Sequence, residues 1–223
     1  VVLMDGENNI WFARIGLGVA RLLDRAVVYY ASEEGQQQDV EAICVNGHDA
    51  WFGAAGRILH VRKDDLRRVD TLDARSGLPE DHISALETGP GGGLWAGTDE
   101  NGLYKQEAHG HFVNVPLAND LLSRKVHGLA RRGNAIWVAT SNGVYIVDST
   151  RTRHLTTENG LMHNQMNAVL TDTRGQVWLA CNNGGVSVVR NDTVRSFTLT
   201  QQGNAYHVTG IAQDASGTMW FST

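Results

Sequence analysis

Short apolar runs broken by polar, glycine-marked turns set the pattern of this chain. The clearest stretch is MNAVLTD (166–172), QVWLAC (176–181), GVSVVR (185–190) and VRSFTL (194–199), with three residues between successive runs. Runs of this length bounded by Gly, Asn and Asp read as β-strands joined by tight turns. The four together predict one antiparallel four-stranded unit, and almost no helix is expected elsewhere. The turn between its third and fourth strands is NDT at 191–193, and the matching turns hold Asp24, Asp64 with Asp65, and Asp148. These aspartates read as turn formers and not as catalytic acids.

The unit recurs. Trp11, Trp51, Trp95, Trp137, Trp178 and Trp220 follow one another at intervals of 40, 44, 42, 41 and 42 residues. Two residues beyond each Trp stands a small residue: Ala13, Gly53, Gly97, Ala139, Ala180 or Ser222. The first strand repeats as VEAICV, ISALET, VHGLAR, MNAVLT and VTGIAQ, with Ala42, Ala85, Gly128, Ala168 and Gly210 in third place. A period of 40–45 residues with one aromatic per unit predicts an all-β propeller, whose blades are crowded most tightly at the innermost strand. The expected blades are 1–36, 37–80, 81–123, 124–163 and 164–205, followed by part of a sixth at 206–223. An incomplete ring is expected, and hence a fragment of a longer protein. The six tryptophans are expected to be structural core.

Composition narrows the function classes. A net charge of -5 without long runs of one sign argues against a nucleic-acid partner. Cys44 and Cys181 fall in different repeats on apolar strands and read as small buried hydrophobes. The HGH sequence at 109–111 lies where a third-to-fourth-strand turn belongs, and two histidines do not make a metal site. No spacing pairs a nucleophile with a base, so no catalytic residue, metal or cofactor is assigned.

Two stretches carry a family likeness. RSGLPEDHIS (75–84) leads through an apolar strand to GGGLWAGTDENGLY, and TENGLMHNQMN (157–167) leads to RGQVWLACNNGGVS. This resembles the two-component-regulator propeller repeat, with its Gly-Leu-Pro element, inner strand, Asp-x-x-Gly-x-Leu-Trp-x-Gly-Thr and Gly-Leu. The match is strong around Trp95 and Trp178, good around Trp137 and Trp220, and poorer around Trp11 and Trp51. The resemblance implies a non-catalytic sensor propeller in the periplasmic part of a membrane-anchored, dimeric bacterial signal-transduction protein, with a histidine kinase or a diguanylate cyclase as output. The alternatives are a streptogramin-lyase-like propeller enzyme, for which GTMWFST would be the shared turn, and a protein-interaction scaffold.

One position departs from the monotony of the repeat. The residue just before each inner strand is Asp39, His82, Lys125, Gln165 or His207, polar in every copy and of four types in five copies. In a propeller this position opens on the mouth of the central channel, where loops on a rigid scaffold carry function. These five with Tyr206 are the expected ligand-binding residues, and Arg124 and His163 stand close by. A small polar ligand such as a glycan, or another protein domain, would suit that rim.

Overall fold

The computed structural model describes residues 2–4, 10–14, 18–23, 26–30, 40–62, 65–117, 121–201, 204–205 and 207–223. Among these, five four-stranded sheets follow in chain order, each strand pairing antiparallel with the next. The first sheet holds β1 (Val2–Met4), β2 (Ile10–Arg14), β3 (Gly18–Leu23) and β4 (Ala26–Tyr30). The second holds β5 (Ala42–Asn46), β6 (Asp49–Ala54), β7 (Arg57–Arg62) and β8 (Asp65–Leu72). The third consists of β9 (Ile83–Thr88), β10 (Leu94–Thr98), β11 (Leu103–Gln106) and β12 (Phe112–Val115). The fourth comprises β13 (Val126–Arg132), β14 (Ala135–Thr140), β15 (Gly143–Val147) and β16 (Thr152–Leu155). In the fifth are β17 (Met166–Thr171), β18 (Val177–Cys181), β19 (Gly185–Arg190) and β20 (Thr193–Thr198). A short hairpin of β21 (Thr200–Gln201) and β22 (Asn204–Ala205) precedes a further pair, β23 (Gly210–Gln213) with β24 (Met219–Ser222). Helix among the described residues is confined to α1 (Leu121–Arg124) and three single 3-10 turns, and no described helix is long and apolar enough to cross a membrane.

The first strands β5, β9, β13, β17 and β23 pack side by side, which makes them the innermost strands of successive blades. Their close approach explains the small residue two beyond each Trp. A Cβ added to Gly53 would lie 2.7 Å from Ile83 Cγ2, and one added to Gly97 would lie 2.3 Å from Val126 Cγ1. Ala139 shares a buried cluster with Met166, and Ala180 one with Val208. At these four junctions, then, the apolar residue that opens one inner-strand run plugs the small site on the second strand of the blade before it. The plugs Ile83, Val126, Met166 and Val208 are all fully buried.

The Gly-Leu element has an equally local cause. A 3-10 turn capped by the Asp73 side chain ends at Gly77 with φ 85°, a left-handed conformation that favours glycine, and the next residue, Leu78, drops into the core. The same turn is capped by Thr156, ends at Gly160 and buries Leu161.

The tryptophans are less uniform than the repeat implies. Trp137 and Trp95 are buried, whereas Trp51 and Trp178 are half-buried and Trp220 is 61 % exposed. The side chain of Trp11 lies outside the described residues. The exposure of Trp220 goes with β24 having no third strand beside it among the described residues. Its indole is held by polar contact: Trp220 Nε1 donates to Asp214 Oδ2 at 2.8 Å, as Trp178 Nε1 does to Asp172 Oδ2 at 2.9 Å. These two bonds give a reason for an Asp six residues before Trp.

Candidate functional site at the channel mouth

The residues before the inner strands are placed by backbone bonds to the preceding blade. Gly56 N donates to Asp81 O at 2.7 Å, Gly102 N to Arg124 O at 3.0 Å, and Gly143 N to Asn164 O. Each acceptor immediately precedes a candidate residue, so His82, Lys125 and Gln165 stand on pinned backbone. Around His82 a further clamp operates. The buried Asp81 carboxylate accepts from His82 N, Glu100 N, Asn101 N and Asn101 Nδ2 at 2.7–3.0 Å. Burial alone would raise its pKa, but these hydrogen bonds with that of Thr98 outweigh burial and hold the carboxyl below its ordinary value.

Each described candidate meets a polar side chain. His82 Nδ1 lies 3.0 Å from Glu41 Oε1, joining two blades. Lys125 Nζ lies 4.0 Å from Asp99 Oδ2, again across a junction. Asn182 Nδ2 donates to Gln165 Oε1 at 2.8 Å, and Asn182 Oδ1 lies 3.2 Å from His207 Nδ1. Asn182 therefore links two candidates, while His82 and Lys125 belong to separate junctions. His82 and Lys125 are close to half exposed as side chains. Asp39 and Tyr206 lie outside the described residues. Arg124 enters through its backbone carbonyl, and His163 Nδ1 accepts from Gln165 N at 3.0 Å.

A second set of polar residues lies one position into the inner strand. In three blades the ladder skips a residue there: Ser84, His127 and Asn167 each fall in a β-bulge between paired neighbours. A bulge leaves its residue out of the pairing and re-aims its side chain. Ser84 Oγ donates to Val126 O at 2.6 Å and Asn167 Nδ2 to Val208 O at 2.8 Å, each stitching a blade to the next. His127 does otherwise. Its Nε2 lies 2.8 Å from Ser141 Oγ, and burial, with Lys125 adding to it against the pull of Asp99, depresses its pKa. The imidazole is thus biased toward its neutral form, able both to donate and to accept.

Glu41, Asp99, Ser141 and Asn182 are not singled out by the sequence, and His127 is singled out only as a remote zinc candidate with His82 and His207. A signal for some was present: the second residues of the five inner-strand runs are Glu41, Ser84, His127, Asn167 and Thr209, all polar. Asp99, Ser141 and Asn182 each follow their Trp by four residues, a position that only paired strands bring beside the rim. Elsewhere, His109 and His111 are exposed around a 3-10 turn, and among the described residues no three His, Cys, Asp or Glu side chains group to hold a metal ion.

A mixed cleft of about 550 Å³ adjoins His82, lined by Arg57, Asp73, Arg75, Glu80 and Asp81 among others. It is open to solvent and carries both signs of charge. Together with the rim, it offers paired donors and acceptors without an activated nucleophile.

No family model matches the chain, and no curated protein matches it. Solved structures do. The extracellular domain of BT3049 from B. thetaiotaomicron, assigned to a hybrid two-component system, superposes with a TM-score of 0.81 at 18% identity over 99% of this chain. The chain spans about a third of that domain, 32% of its length. Virginiamycin B lyase from Staphylococcus aureus gives a TM-score of 0.81 at 14% identity, over 99% of this chain and 76% of the lyase. YCF48 bound to D1 peptide gives 0.65 at 11% identity, over 96% of this chain and 71% of that one. At such identities the likeness lies in the fold: the described residues are blades of a β-propeller.

Proposed function

We propose that the chain is a non-catalytic, ligand-binding region of a sensor propeller in a membrane-anchored bacterial signal-transduction protein. The ligand is a small polar molecule such as a glycan, bound at the channel mouth. The carrying observation is the contrast within one junction: apolar plugs repeat from blade to blade, while the residues beside them change chemistry from one blade to the next, and His82, Lys125 and His207 reach across to the preceding blade. A ligand spanning two blades would therefore touch a different donor and acceptor set at each junction. The likeness to extracellular two-component domains supports the sensor role and an extracytoplasmic location; an output by histidine kinase or diguanylate cyclase in a dimer is part of the proposal. A thermal-shift screen against glycans, peptides and metals tests it, repeated with His82→Ala, Lys125→Ala and His207→Ala. Loss of a shift in any variant supports the rim; a ligand whose affinity all three leave unchanged binds elsewhere.

The equal likeness to virginiamycin B lyase, which has been solved with quinupristin, favours an enzyme as the second reading. Chromatography of quinupristin incubated with the protein separates the two. Consumption that His82→Ala abolishes would make the chain a lyase.

A further inference from the structure

The chain contains Asn–Gly pairs at 46–47, 101–102, 142–143, 159–160 and 183–184. Their local conformations are alike: the five glycines have φ of 58°, 83°, 84°, 95° and 97°. Their hydrogen bonding is not. Gly102 N donates to Arg124 O and Gly160 N to Thr157 O, both at 3.0 Å, and Gly143 N donates to Asn164 O. In two of these pairs the asparagine side chain is tied as well, Asn101 Nδ2 to Asp81 Oδ2 and Asn159 Oδ1 to Thr156 N, each at 3.0 Å. Gly47 and Gly184 differ, since neither amide N–H has a partner among the described residues. Asn46 and Asn183 are exposed, and their side chains have no hydrogen-bond partner among the described residues.

From this difference we propose that Asn46 and Asn183 are sites of selective deamidation, while Asn101, Asn142 and Asn159 are protected. The Gly amide nitrogen loses its proton to solvent base and attacks the Asn Cγ; the Cγ–Nδ2 bond breaks and ammonia leaves, closing a succinimide. Water then opens the ring at either carbonyl, giving aspartate or isoaspartate. Where the nitrogen already donates to a carbonyl, that bond must break before attack, and the asparagine must also be released. The two open sites differ in place. Asn46 sits in the β5–β6 hairpin, at the other end of the inner strand from the rim. Asn183 directly follows Asn182, which holds Gln165 and His207, so conversion there sets a new negative charge beside the mouth.

Incubation of the folded protein at mildly alkaline pH, followed by peptide mass spectrometry and isoaspartate detection, tests the assignment. Asn46 and Asn183 should convert at least roughly tenfold faster than the other three, the factor that about 1.4 kcal/mol of barrier represents. In urea the five rates should converge, because the hydrogen bonds are gone. Equal rates in the folded protein would overturn the proposal, and so would the same ranking in urea. Asn183→Ser should remove conversion at that site and leave Asn46 unchanged.

Discussion

Replacing Gly97 by Ala probes the plug that joins the third blade to the fourth. The backbone at Gly97 is not left-handed, so alanine meets no dihedral penalty, and by limiting the unfolded chain it would stabilise by about 0.4–1 kcal/mol if space allowed. Space does not allow it. The new Cβ would lie 2.3 Å from Val126 Cγ1 and 2.8 Å from Val126 Cβ, against ~3.5–4.0 Å for a relaxed carbon pair. Val126 is fully buried in a cluster with Trp95, Leu103 and Ile136, so it has little room to retreat. Overpacking of this kind costs about 1–3 kcal/mol, which exceeds the entropic gain. Val126→Ala should cost about 2 kcal/mol through lost burial and a small cavity. In the double variant the 2.3 Å clash with Cγ1 disappears, the 2.8 Å contact with the Cβ at 126 stays and is eased by a small shift into the space that the two γ-methyls leave, and the added methyl fills part of the cavity. The double variant should therefore be about 1–2 kcal/mol more stable than the two losses summed. Urea melts of the four proteins, followed by fluorescence and circular dichroism, measure the cycle. Additivity within about 0.5 kcal/mol, or a Gly97→Ala protein more stable than the parent, would refute the plug.

Trp137→Ala should cost about 3–5 kcal/mol and Trp220→Ala far less, since one indole is 1 % and the other 61 % exposed; equal melts would contradict the burial pattern. Substitutions at His109 and His111 should stay within about 0.5 kcal/mol, as at ordinary surface positions, measured by the same melts. Burial pushes the Cys44 thiol up to about 12 and raises that of Cys181, so neither should react with a thiol reagent until urea opens the fold. His127 has a folded pKa below its unfolded value, so its contribution to stability is present above about pH 6.5 and is lost as pH falls through the folded pKa. Stability measured downward from pH 7 should fall less steeply in His127→Gln, and NMR should find the imidazole titrating lower than an exposed histidine.

Most of the architecture was legible because it is periodic. A misjudged strand in one copy is corrected by four others, and the Ala and Gly positions mark where inner strands converge. The plugs were half legible: the small sites Gly53 and Gly97 stood out, but that Ile83 and Val126 fill them depends on which neighbouring blade they face. The rim was legible only on one side. His82, Lys125, Gln165 and His207 betray themselves by breaking the repeat, whereas their partners Glu41, Asp99 and Asn182 come from another blade or another strand, 17 to 41 residues away in sequence for the four hydrogen-bonded or ion pairs. Trp220 keeps the period while no third strand covers it among the described residues, and sequence period reports the position a residue holds and not what packs upon it.

The bulge that frees Ser84, His127 and Asn167 from the ladder makes the mouth open to change at little risk to the sheet. A side chain in a paired position must satisfy its cross-strand neighbours, so altering it disturbs register. At a bulge the neighbours on either side keep the register, and serine, imidazole and carboxamide all occupy the same slot in this one chain. Inherited variation can thus accumulate at the mouth while the blades stay unaltered, and a library randomised at residues 84, 127 and 167 should yield mostly folded proteins of differing selectivity.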